Sequence, residues 1–215
     1  TDMEDLFTDM AQFNVDISKW NTAAVTNMAG MFAGAAEFDQ DISSWNTAAV
    51  TSMTSMFRGA AKFDRDIDTS GDEWNTAAVT KMDFMFSGAA KFDKSIANWN
   101  TAAVTTMQGM FKDAAAFNKD IGTWDVSKVT RMFDMFFGAT AFDNGGADGI
   151  KAWKTGLVTT MQGMFKDAAA FNQPILKNGD KWDTAKVTTM TDMFNGASAF
   201  NTDISNWAKA SVTNN

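Results

Sequence analysis

Eight tryptophans, at 20, 45, 74, 99, 124, 153, 182 and 207, stand 25 or 29 residues apart along the whole 215-residue chain. A recurrence this regular constrains the fold more than any composition does. A unit so short cannot bury its own apolar face and must share a core with the units on either side. Between tryptophans the same words return, as in Val25-Thr26-Asn27-Met28, Met31-Phe32, Gly34-Ala35, Phe38-Asp39 and Asp41-Ile42.

Aligned on these words, the apolar residues fall into columns. Met28, Met31, Phe32 and Ala35 are spaced i, i+3, i+4, i+7, which predicts a helix of two to three turns, with Thr26 as N-cap and Gly34 near its end. Ile42 to Trp45 and the stretch around Val50 predict short extended segments, paired in parallel from coil to coil. The expected fold is an α/β repeat solenoid, right-handed. It has about eight 25–29-residue repeats, each a short helix plus short parallel strands, forming one domain over residues 1–215. Thr1-Asp2-Met3 is in phase with Thr26-Asn27-Met28, and Val212-Thr213-Asn214 opens a further unit. The chain therefore reads as an excised or ordered part of a longer one.

Composition removes several function classes. There is no cysteine and no histidine, so thiolate metal sites, cysteine nucleophiles and histidine bases are excluded. A net charge of −8 without a basic run argues against a nucleic-acid partner. No apolar stretch approaches the length of a membrane span. No cofactor motif and no enzyme constellation is present, so a non-enzymatic chain is expected.

The recurring word Val25-Thr26-Asn27-Met28, Met31-Phe32, Gly34-Ala35, Phe38-Asp39, Asp41-Ile42, Trp45-Asn46-Thr47 resembles the BspA-like leucine-rich-repeat surface proteins. The likeness is to their 25-residue form in mycoplasma-type surface lipoproteins. It covers essentially the whole chain. It implies a leucine-rich-repeat-like solenoid, an extracellular or cell-surface location, and an adhesive or protein-binding role. It brings no catalytic residues.

Other columns carry polar groups. Asn or Asp follows the second Phe in every unit, from Asn14 and Asp39 to Asn201. A side chain shaping its own turn explains this. Asp16, Asp41 and Asp66 offer stacked oxygens of the kind calcium takes, with turn chemistry as the simpler explanation. Thr1, Thr26, Thr51 and their successors through Thr213 form an unbroken column. Helix capping accounts for it, and an ice- or mineral-binding surface is the alternative.

Departures from the period are the candidate partner sites, because repeated positions are occupied by the demands of the fold. Three units carry four extra residues between the second Phe and Trp. These loops supply Asp72 and Glu73, Asn144 and Asp148, and Lys177, Asn178 and Asp180. Insertions on one face often mark a binding face, though loops also drift neutrally. Phe84, Phe133 and Phe137 stand where other units have small or polar residues. On the expected helix, Phe133 and Phe137 lie side by side, either as a docking patch or buried against a neighbour. The function expected is a repeat domain for protein–protein interaction or surface adhesion. The alternatives are a structural subunit of a larger assembly and the ice- or mineral-binding surface.

Overall fold

The computed structural model describes residues 1–68 and 73–208; Asp72, Val212 and Thr213 lie outside them. Each coil lies flat on the one before. In the fifth, the amides of Met107, Gly109, Phe111 and Asp113 donate to Arg131, Phe133, Met135 and Phe137 of the sixth at 2.6–3.2 Å. The amides between them close turns within the coil, Met110 to Met107, Lys112 to Gly109 and Ala114 to Phe111, at 3.1–3.3 Å.

This pattern overturns the expected helix, in which every amide would bond four residues back. The cause lies in the backbone. One left-handed column runs Asp5, Gly30, Ser55, Phe84, Gly109, Asp134, Gly163, Asp192. A second runs Asp9, Gly34, Gly59, Gly88, Asp113, Gly138, Asp167, Gly196, and φ lies between 52 and 77° in both. Two left-handed residues four apart break a helix and turn alternate amides toward the next coil. Glycine adopts this conformation freely, and Asp does so more readily than most residues. Met28, Met31, Phe32 and Ala35 are all buried, but consecutive turns rather than a helix deliver them.

Among the described residues the expected parallel strands are also absent. Pairing along the stack is one parallel bridge per coil, through Asp2, Asn27, Ser52, Lys81, Thr106, Arg131, Thr160 and Thr189. Among the described residues, helix is limited to two short 3-10 segments, Asn144–Gly146 and Asp148–Ala152. The α/β solenoid with leucine-rich-repeat geometry is therefore replaced by a stack of turns. No helix among the described residues is long and apolar enough to cross a membrane.

The core is a set of ring columns. Phe111 stacks on Phe117 in its own coil at 4.0 Å and on Phe136 in the next at 5.5 Å. Trp99 and Trp124 lie 6.4 Å apart with planes only 2° from parallel. Each buried indole is also tied down, since Trp124 Nε1 donates to the Ile96 carbonyl at 3.0 Å and Trp99 Nε1 to Ile67 at 3.0 Å. Pairing the N–H removes the penalty of burying it.

Polar columns stitch the coils together. The Asn/Asp column does not shape its own turn: Asp39 Oδ1 accepts the amide of Asp64 at 3.1 Å, and Asp93 Oδ1 that of Asn118 at 2.9 Å. The unbroken threonine column caps no helix. Thr105 Oγ1 donates to the Thr80 carbonyl at 3.1 Å and Thr130 Oγ1 to Thr105 at 3.1 Å. A further threonine column, Thr22, Thr47, Thr76, Thr101, Thr155 and Thr184, is buried, and Thr101 Oγ1 donates to Asp125 O in the following coil at 3.0 Å.

Candidate interaction surface

The inserted loops contribute less free surface than their sequences promise. Asn144 is fully buried. Its Oδ1 accepts the Ile121 amide at 2.9 Å, and its Nδ2 donates to Asp120 Oδ1 at 2.9 Å. This side chain joins two coils and presents nothing to a partner. Asp148 is exposed and ion-paired with Lys151. Glu73 is exposed, and its carbonyl accepts the Thr47 amide at 2.7 Å. Asn178 is exposed in an antiparallel bridge with Lys181.

Two charged loop residues are engaged by neighbours. Lys177 reaches Asp183 at 2.9 Å, and Asp180 reaches Lys154 at 2.9 Å. The hydrogen bond from Lys154 holds the Asp180 carboxyl below its ordinary value, and the same contact raises Lys154. Lys177 lowers Asp183 in the same way.

The three aspartates with calcium-like chemistry are exposed. Asp16 and Asp41 each accept a backbone amide two residues on, from Ser18 and Ser43, at 2.9 Å. Asp66 accepts that of Asp68 at 3.1 Å. The serine hydrogen bonds hold Asp16 and Asp41 below the ordinary aspartate value. Among the described residues no three acidic or other ligating side chains are placed to share a metal ion.

The extra phenylalanines are more informative. All three are half-buried. No ring contact joins Phe133 to Phe137, because the chain turns through left-handed Asp134 between them instead of continuing as a helix. Phe137 is flanked by two ammonium groups, Lys112 at 4.5 Å and Lys166 at 5.8 Å from its centroid. Both lysines are anchored on the same wall, Lys112 to Asp134 at 2.9 Å and Lys166 to Asp192 at 2.8 Å. The hydrogen bond to Asp192 raises Lys166 above its ordinary value. These lysines were not singled out from the sequence. The signal was there, since Lys112, Phe137 and Lys166 are successive members of one column.

Phe84 sits in a left-handed column with φ of 54°, a conformation that costs a bulky residue about 1–2 kcal/mol. Its ring lies over Gly109, where a Cβ would come within 2.3 Å of it. Arg58, Phe84, Ser87, Lys112 and Asp113 line a surface pocket of about 360 Å³. Phe84, Lys112, Phe137 and Lys166 thus form one continuous aromatic and cationic strip across four coils.

Recurring coils, one continuous core and ladders from coil to coil define a repeat protein built of stacked turns. The chain belongs to the family described as "Mycoplasma protein of unknown function, DUF285", which matches three consecutive stretches, residues 1–71, 67–148 and 144–215. No curated protein and no solved structure matches the chain.

Proposed function

We propose that this chain is a non-enzymatic recognition module, allied to the BspA-like surface proteins, that binds a protein partner outside the cell. The strip Phe84–Lys112–Phe137–Lys166 is its contact surface. One observation carries this reading: non-repeating aromatic residues, half-exposed and braced by cations, lie together on a wall where other coils carry small or polar residues. Phe84 in particular places a bulky side chain at a left-handed position that every coil needs but that the other coils fill with Gly, Asp or Ser. Strain kept at an exposed aromatic fits a binding role. Many charged side chains are engaged in ion pairs that run mostly between coils, such as Arg65–Asp39 at 2.7 Å and Lys119–Asp93 at 2.6 Å, which fits the non-enzymatic part.

The test is attachment of the purified chain to intact cells and to immobilised extracellular proteins. Phe84→Gly and Phe137→Ser, each folded as the parent, should lose binding. Attachment that survives in both variants removes the strip as the contact surface.

A further inference from the structure

The column of single parallel bridges is small and uncharged over most of the stack, as at Asn27, Ser52, Thr106, Thr160 and Thr189. Lys81 and Arg131 interrupt it, one on each side of Thr106. At about 4.8 Å per coil the two cations stand about 10 Å apart. Both are exposed, and among the described residues neither side chain has an ion-pair or hydrogen-bond partner. This sets them apart from the lysines of the turn wall, Lys112 and Lys166, which are paired with aspartates.

Between these two posts lies a cavity of about 470 Å³ walled by Thr105, Thr106, Thr130, Gln108 and Asp83. The one acid in it is Asp83, whose Oδ1 accepts from two neutral donors, Thr106 Oγ1 at 2.5 Å and the Gln108 amide at 3.2 Å. The groove therefore offers two cations against one carboxylate, over a floor of hydroxyl and amide groups, on a chain whose net charge is −8. No aliphatic or aromatic side chain lines it.

We propose that this groove binds an acidic polysaccharide, with carboxylates of alternate sugars at Lys81 and Arg131 and sugar hydroxyls on the threonine floor. The charge sign calls for an anion. Free cations at separated points favour one that is repeated along a polymer. The polar walls favour sugar over peptide, because protein partners are held by apolar anchors that this groove lacks. The site is separate from the aromatic strip, so either can fail without the other.

Calorimetric titration of the full chain with a uronic-acid oligosaccharide tests the proposal, with a neutral glucan oligomer and poly-glutamate of equal length as comparisons. The uronate should bind, more weakly as salt is raised, and the neutral glucan should not. A variant carrying both Lys81→Ala and Arg131→Ala should weaken binding by roughly tenfold or more. Lys91→Ala, an exposed lysine outside the groove, should leave binding unchanged, as should Phe137→Ser. Absence of uronate binding at millimolar concentration, or an unaffected double variant, overturns the proposal. Equal affinity for poly-glutamate overturns the assignment to sugar.

Discussion

The turn wall and the loop wall of the same coil obey different rules. From Met107 to Ala114, alternate amides bond directly to the backbone of the next coil. The corresponding stretch has one length in every unit of the sequence. Between the second Phe and Trp, side chains hold much of the contact, through the Asn/Asp ladder and the indole N–H groups. All three four-residue insertions fall there. Backbone-to-backbone register fixes length, because one added residue would misalign every later bond. A segment pinned at its two ends by side chains can bulge between them at small entropic expense.

This contrast can be sharpened by substitution. On the turn wall, Phe111→Ala empties a fully buried site between two ring columns and should destabilise by about 3–5 kcal/mol in chemical denaturation. A change under about 1 kcal/mol would mean that the rings contribute little packing. On the loop wall, Asn144→Ala strips the buried Ile121 amide of its acceptor and should cost about 1–3 kcal/mol.

Backbone conformation is probed by Gly59→Ala. A Cβ there meets only Gly34, at 3.6 Å, so the loss of about 1–2 kcal/mol would report the left-handed φ alone. Gly109→Ala should lose more, because its Cβ also collides with the Phe84 ring. Equal losses would show that Phe84 moves aside freely. The smallest effect should come from deleting Asn178–Lys181, which returns the seventh unit to 25 residues. Thermal unfolding should report a change within about 1 kcal/mol, since only one exposed ion pair, Lys154–Asp180, and a loop are removed. A collapse in stability would place the loop wall under the same length rule as the turn wall.

The columns of buried residues were legible in the sequence because recurrence alone marks them. Met107, Met110, Phe111, Phe117, Ile121 and Trp124 are all buried as their spacing demands. The helix was a misreading of one stretch. Spacing of i, i+3, i+4, i+7 returns residues to one side of a helix, and successive turns with left-handed corners do the same. The distinguishing sign was the pair of columns filled mostly by Gly or Asp, four residues apart. The candidate site was half legible. Phe84, Phe133 and Phe137 stood out as exceptions, but the lysines bracketing Phe137 did not, because an isolated lysine is ordinary on any surface. Asn144 looked like a polar loop residue and is an internal bond between coils.

By itself, the sequence determined the period, the membership of the core and the places where length varies. Those follow from which side chains must leave water, and position along the chain records that. Only the tertiary structure decided how the backbone turns and where each polar group finds its partner. Asp39 and Thr105 could satisfy a local amide or carbonyl, or one 25 residues away. Local chemistry is the same in both cases, and only the stacking of one coil on the next selects between them.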